Sequence, residues 1–199
     1  MNRIIDMEKR VVLILMLVLA TAGVWAQEGD EDEGKKGFQK EKLFVGGNFG
    51  LAFGNYTFIN ISPQLGYRFT NLFAAGMGIN GQYVSFKERY FDTGDPYRKV
   101  SQTVIGLNVF GRVYPIRNIM LQAQPEANYI FGKQIFYGPP KQEYKLDASI
   151  VPSLLMGGGL VLPSGRGEML ITVFYDVLQD KASPYGRRPI YNFGYNIGF

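Results

Sequence analysis

The 199-residue sequence contains no cysteine and no histidine, and it has a single tryptophan. The missing cysteine excludes disulfides, thiolate metal sites, catalytic thiols and a lipidated N-terminal cysteine. The missing histidine removes the commonest general base and the commonest zinc ligand. Charged residues are also few, at 19% against about 25% in an average protein. We therefore predict no catalytic residues, no metal site and no cofactor, and we do not expect an enzyme.

Glycine and aromatic residues are abundant, with 25 Gly, 13 Tyr and 15 Phe. This composition favours pleated strands and tight turns over helices. The formal net charge of +4 is too small, and the basic residues are too scattered, to indicate nucleic-acid binding.

The first 26 residues have the pattern of a signal peptide. Basic residues, among them Lys9 and Arg10, precede the apolar run VVLILMLVLA, and small residues follow it. We predict cleavage between Ala26 and Gln27, because the apolar stretch is shorter than the ~20 residues of a membrane-spanning helix. An uncleaved N-terminal anchor is the alternative.

Residues 27–42 change from an acidic cluster to a basic one and contain almost no apolar side chains. The sequence predicts a disordered, charged lead-in here. The alternative is a docking tail for a periplasmic partner.

From residue 43 onward, apolar side chains recur at every second position in eight segments separated by turn residues. The segments are residues 43–53, 59–69, 73–83, 102–113, 119–131, 146–160, 169–177 and 191–199. The alternate positions carry mostly Gly, Asn, Gln and Ser, which are too uncharged for a wet surface and too polar for a dry core. Such a pattern is typical of a narrow lumen lined by amides, with the bulky apolar face toward lipid. We predict an all-β, eight-stranded, antiparallel, up-and-down transmembrane β-barrel over residues 43–199; a soluble lipocalin-like barrel is the alternative.

The predicted connections alternate between short and long. Short turns are expected near Asn71, at Pro115–Asn118 and at Pro163–Gly167. Longer loops are expected at Lys87–Lys99, Gly132–Lys145 and Gln179–Pro189, while the connection near residue 54 is tight. Short turns on the side of both termini, with longer loops opposite, are typical of outer-membrane barrels.

The segment Ile61–Tyr67 (ISPQLGY), the last strand (PIYNFGYNIGF) and the eight-segment pattern carry a family likeness. The chain resembles the small eight-stranded outer-membrane barrels of the OmpA-like type, in particular those common in Bacteroidetes. The resemblance implies a monomer in the outer membrane of a Gram-negative bacterium, in contact with lipid and lipopolysaccharide. The terminal Phe199, with Tyr195 and Ile197 at alternate positions, looks like the signal that the outer-membrane assembly machinery reads in a transient contact. Deletion of Phe199 is therefore expected to reduce insertion.

Five charged residues share the inward parity: Arg68, Arg112, Glu126, Glu168 and Asp176. An eight-stranded barrel is just filled by its side chains, so we predict that these charges pair in a lumen network that plugs the barrel. The alternative is a gated ion path closed by a bridge among Arg68, Arg112 and Glu168, which lie near the periplasmic end.

A G-x-G-x-x-G spacing begins at Gly76, but it lies inside an alternating strand with no helix after it. A dinucleotide site needs those glycines at a helix N-terminus. We therefore interpret Gly76 and Gly78 as residues that make room in a narrow barrel.

The sequence thus leaves three hypotheses for function. The first is a non-enzymatic envelope protein with loops on the cell surface. The second is a narrow porin-like channel for ions or small solutes. The third is an adhesin or ligand-binding protein that acts through the longer loops, which combine aromatic and basic residues.

Overall fold

The structure is a computed structural model that describes residues 39–52 and 56–198. The predicted signal peptide, its cleavage site at Ala26 and Gln27, and Phe199 lie outside the described residues. Those expectations stay predictions.

Eight strands make up the described chain, and they follow one another in an antiparallel order. Their bounds are β1 (Leu43–Ala52), β2 (Tyr56–Arg68), β3 (Phe73–Arg89), β4 (Pro96–Ile116), β5 (Ile119–Phe136), β6 (Gln142–Ser164), β7 (Gly167–Asp176) and β8 (Ile190–Gly198). Each strand pairs with its neighbours in sequence, and β1 pairs with β8, so that the sheet closes into a barrel. The predicted eight-stranded, antiparallel, up-and-down order is confirmed.

A single 3-10 turn, Lys40–Lys42, precedes β1. The Gln39 backbone N–H donates a hydrogen bond to the Tyr67 hydroxyl at 3.3 Å. The last residues of the lead-in predicted to be disordered therefore adopt a defined conformation against the barrel wall.

Both described ends of the chain lie at one end of the barrel, which we call the termini end. The connections there are short, as predicted: the β2–β3 turn begins at Phe69, Arg117 and Asn118 connect β4 to β5, and Gly165 and Arg166 connect β6 to β7. We call the opposite end the loop end.

Two of the three predicted loops, at residues 87–99 and 132–145, are shorter than predicted. β3 and β4 pair up to Glu88 and Arg98, and β5 and β6 pair up to Phe136 and Gln142, so most of both segments is strand. Cross-strand ion pairs stabilise these extensions: Arg98–Glu88 at 3.4 Å and Lys133–Glu143 at 3.0 Å. Charged, proline and glycine residues interrupt the apolar alternation there, which hid the strand period. Among the connections that the structure describes, the one between β7 and β8, residues 177–189, is the long loop.

The two faces of the sheet differ as predicted. Bulky apolar side chains point outward and are exposed, for example Met77 (62%), Leu107 (67%) and Ile150 (72%). Amide and hydroxyl side chains such as Gln64, Asn108 and Asn128 point inward and are buried. This is the reverse of a water-soluble barrel, in which the apolar set fills the interior.

Candidate functional site

Two cavities open into the lumen from opposite ends. The loop-end cavity has a volume of about 610 Å³ and the termini-end cavity about 890 Å³. Along β2, Ser62 lines the first and Arg68 lines the second, while Gln64 lies between them and lines neither. We call the side chains in this intermediate position the lumen plug; they are Gln64, Phe110, Arg112, Met120 and Gln122.

Arg112 is the centre of the lumen plug and is only 1% exposed. Its Nε donates to Gln122 Oε1 and its Nη2 donates to Gln64 Oε1, both at 2.6 Å. The guanidinium carbon lies 4.4 Å from the centroid of the Phe110 ring and 5.5 Å from that of Phe44. Amide oxygens and ring faces, rather than a carboxylate, therefore solvate this buried cation.

A chain of hydrogen bonds leads from Arg112 up the inner face of β5. Gln122 donates to Gln124, and Gln124 Nε2 donates to Glu126 Oε1 at 2.6 Å. Asn128 Nδ2 donates to the other carboxylate oxygen of Glu126 at 3.1 Å. Residues at every second position of a strand share a face, so the sequence Q-A-Q-P-E-A-N builds an unbroken polar ladder. Its amide dipoles run from the positive guanidinium to the negative carboxylate.

Two aromatic rings close the lumen beside Arg112, and glycines on the adjacent strands make room for them. Phe44 occupies the space next to Gly66, and Phe110 occupies the space next to Gly76. A Cβ atom on Gly76 would lie 2.5 Å from Phe110 Cζ, and one on Gly78 would lie 2.9 Å from Gln64 Cγ. The prediction that Gly76 and Gly78 make room in a narrow barrel is confirmed.

Arg68 and Glu168 form an ion pair at the termini end. Arg68 Nη2 lies 3.0 Å from Oε1 and 3.1 Å from Oε2 of Glu168. The guanidinium also lies over the Tyr114 ring at 5.3 Å. Both side chains are about one-third exposed and line the termini-end cavity. The pair therefore lies at the termini end of the barrel and is not part of the lumen plug.

The β7–β8 loop folds into the loop end of the lumen, and two carboxylates hold it there. The Tyr185 hydroxyl donates to Glu126 Oε2 at 2.6 Å, and Ser183 Oγ donates to Asp176 Oδ2 at 2.6 Å. Burial raises the pKa of Tyr185 well above its ordinary value, and the charge of Glu126 raises it further. Tyr185 therefore keeps its proton at neutral pH and stays a donor. We call these two hydrogen bonds the loop latch.

The five predicted lumen charges do not form one cluster of ion pairs. Arg68 contacts Glu168, while Arg112 reaches Glu126 only through Gln122 and Gln124. Asp176 accepts hydrogen bonds from Ser183 and from the backbone N–H groups of Leu154 and Leu178. The bridge of Arg68, Arg112 and Glu168 in the gated-path alternative forms only between Arg68 and Glu168: among the described residues Arg112 forms no ion pair, since the nearest groups to its guanidinium are amides and rings.

Sequence reasoning missed the apolar part of the interior and the loop latch. Phe110 has the same parity as Asn108 and Arg112, and this parity was the signal for its inward position. No local pattern marks Tyr185, because its partner Glu126 lies 59 residues away in sequence.

The predicted assembly residues lie on the last strand. Tyr195 and Ile197 point outward and are 40% and 50% exposed. The Tyr195 hydroxyl donates to the Ser164 carbonyl at 2.6 Å.

No model of a known protein family and no curated protein matches the chain. Among residues 39–52 and 56–198, no helix has the length and apolar character needed to cross a membrane. The same residues contain no cluster of three or more acidic side chains able to hold a metal ion.

Proposed function

We propose that the protein is a non-enzymatic integral barrel of a bacterial outer membrane, with a closed lumen and a structural role in the envelope. One observation carries this proposal: bulky apolar side chains cover the exposed face of the barrel, while the buried face carries amide, hydroxyl and charged side chains beside its apolar ones. In water such an exterior would be costly, since burial of apolar surface contributes about 25 cal/mol per Å². In lipid the same exterior is the favourable one, and closure of the sheet leaves no unpaired strand edge around the barrel wall.

The length of the apolar band supports insertion. On β3 the outward face runs from Phe73 through Met77 and Ile79 to Tyr83. Ten residues at about 3.3 Å per residue, tilted by about 40°, span about 25 Å along the barrel axis. That length is close to the apolar band of about 25 Å on outer-membrane barrels.

Aromatic rings lie in contact near both ends of the band. At the termini end the Tyr67 and Phe69 centroids are 5.1 Å apart, and those of Phe69 and Phe73 are 5.7 Å apart. Toward the loop end the Tyr129 and Phe131 centroids are 5.6 Å apart. Amphipathic rings are favoured at the two membrane–water interfaces, which supports this placement of the barrel.

The proposed orientation puts the termini end in the periplasm and the loop end outside the cell. Lys133 and Lys145 lie on the β5–β6 extension beyond the rim at the loop end. Cations at this height are suited to the anionic head groups of lipopolysaccharide. Insertion is proposed to depend on the assembly machinery, which would read the last strand up to Phe199.

Refolding into phospholipid vesicles tests insertion. The protein is expected to float with the vesicles in a density gradient and to show heat-dependent gel mobility. Met77→Arg puts a charge in the middle of the band and is expected to destabilise the inserted barrel by about 2–4 kcal/mol. Phe91→Arg is the matched control, because Phe91 is fully exposed in the β3–β4 turn outside the band. A folded protein that stays in the aqueous fraction would overturn the proposal.

A narrow channel is the second candidate, and the two opposed cavities favour it. The lumen plug lies between them. Conductance in a planar bilayer decides between the candidates. A closed structural barrel gives no current from the wild type. Discrete steps from the wild type would favour the channel.

A further inference from the structure

The loop-end cavity carries polar side chains that the fold itself does not use. Asn48, Gln82 and Asn192 line it from three different strands, and Arg187 and Arg188 line it from the β7–β8 loop. Among the described residues, none of these five side chains has a hydrogen bond or an ion pair. The neighbouring Asn80 and Glu126, by contrast, are bonded within the wall.

From this arrangement we propose that the loop-end cavity binds a small acidic saccharide, meaning a sugar of one or two rings that carries a carboxylate or a phosphate. This inference goes beyond the proposed envelope role and holds for the barrel in micelles as well as in lipid.

The charge of the cavity selects an anion. Guanidinium groups bind carboxylate and phosphate oxygens through two parallel hydrogen bonds. The carboxylates nearest to the loop, Glu126 and Asp176, are already occupied by Tyr185 and Ser183. Arg187 and Arg188 are exposed at the mouth of the cavity, so an anionic group from solution reaches them directly.

The rest of the wall selects hydroxyl groups. A side-chain amide offers two donors and one acceptor, which matches a sugar hydroxyl that both donates and accepts. An apolar ligand would leave the amides of Asn48, Gln82 and Asn192 unpaired, at a cost that disfavours its binding. The rings of Phe58 and Tyr185, which also line the cavity, offer apolar surface to the C–H face of a sugar.

The size of the cavity limits the ligand. About 610 Å³ falls within the range of about 300–1,000 Å³ for small-molecule sites. Below the ligand the lumen plug blocks the way through the barrel, so the ligand enters and leaves from the loop end. The loop latch acts as a positioning device, because it holds the segment that carries both arginines.

Titration of the isotope-labelled protein in detergent micelles tests the proposal. The probes are D-glucuronate, neutral D-glucose and acetate, and the readout is the side-chain amide signals of Asn48, Gln82 and Asn192 in nuclear magnetic resonance. We expect glucuronate to shift these signals at millimolar concentration, and glucose and acetate to bind at least about tenfold more weakly. Equal binding of acetate and glucuronate would show an anion site without sugar selectivity and would overturn the proposal, as would no shift with glucuronate.

Two double variants separate the cavity from the general charge of the barrel. Arg187→Gln with Arg188→Gln is expected to weaken glucuronate binding at least about tenfold. Arg117→Gln with Arg166→Gln removes the same charge from the termini end, where both residues line the other cavity, and is expected to leave binding unchanged. Equal effects of the two double variants would contradict the site. Heat-dependent gel mobility verifies the fold of each variant, independently of membrane insertion.

Lipopolysaccharide is another source of acidic sugar, and a separate arm tests it. The same titration is repeated with lipopolysaccharide in lipid nanodiscs in place of glucuronate. We expect the free sugar to shift the amide signals. Shifts with lipopolysaccharide but none with glucuronate would overturn the proposal of a free saccharide.

Discussion

Arg112 is the buried cation at the centre of the lumen plug. Arg112→Ala leaves the oxygens of Gln64 and Gln122 without their donor and opens space beside two rings. We expect the free energy of unfolding in micelles to fall by about 3 kcal/mol. Arg68→Ala is the control, since its ion pair is partly exposed and contributes no more than about 1 kcal/mol. Equal losses in urea unfolding would contradict the central position of Arg112.

Gly76 tests the close packing of the interior. Gly76→Ala places a methyl group against the Phe110 ring and the Leu65 carbonyl, and overpacking of this kind costs about 1–3 kcal/mol. Gly138→Ala is the matched control, because nothing lies within 4 Å of a Cβ there, and its effect is expected within about 0.5 kcal/mol. Similar unfolding midpoints for the two variants would show that the ring can move away.

At the residue scale, parity along a strand identified most of what faces inward. It placed Arg112, Glu126 and Asp176 inside, and the structure buries all three. It could not identify their partners, because hydrogen bonds across a closed barrel join residues that are distant in sequence. Arg68 and Glu168, for example, are 100 positions apart.

The β7–β8 loop is the element that controls the loop end. Tyr185→Phe removes the hydroxyl that donates to Glu126 and accepts from Asn80. The bond to the carboxylate alone is worth about 1.5–3 kcal/mol, and its loss frees the segment that carries Arg187 and Arg188. Cleavage there by a trypsin-like protease is expected to be at least about tenfold faster in the variant, because proteolysis follows the open population.

Tyr137→Phe, in the exposed β5–β6 turn, is the control for the Tyr185 experiment and is expected to leave the rate of cleavage after Arg187 unchanged. An unchanged rate in Tyr185→Phe would show that the loop latch does not hold the loop.

At the element scale, the sequence predicted the number, order and facing of the strands, because the period of two is strong between residues 43 and 131. It was less successful at the loop end. There charged residues such as Lys87, Glu88 and Lys133 interrupt the apolar alternation, and pairing with a neighbouring strand, rather than burial, keeps the chain extended. The sequence of a single segment does not show with which strand it will pair, so these extensions could not be predicted.

At the scale of the whole molecule, the stability of the barrel depends on whether lipid or water surrounds its apolar outer face. The composition predicted an inverted barrel because its inner positions are amides and glycines, and the burial pattern agrees. The sequence predicted a plugged lumen but not the aromatic rings that help to close it, since Phe44 and Phe110 interlock with glycines on neighbouring strands. The free volume inside a barrel depends on the side chains of all eight strands together, so the pattern of one strand does not predict it.

The most direct test of the central claim uses spin labels on β3 in protein refolded into lipid vesicles. The chain has no cysteine, so a single introduced cysteine is labelled uniquely. Labels at Met77 and Ile79 are predicted to collide often with dissolved oxygen and rarely with a water-soluble nickel complex. A label at Asn80, which lines the loop-end cavity, is predicted to collide with oxygen less often than the labels at Met77 and Ile79, because lipid does not reach the lumen. Frequent collisions of the nickel complex at Met77 and Ile79 would place the apolar face in water and contradict the account.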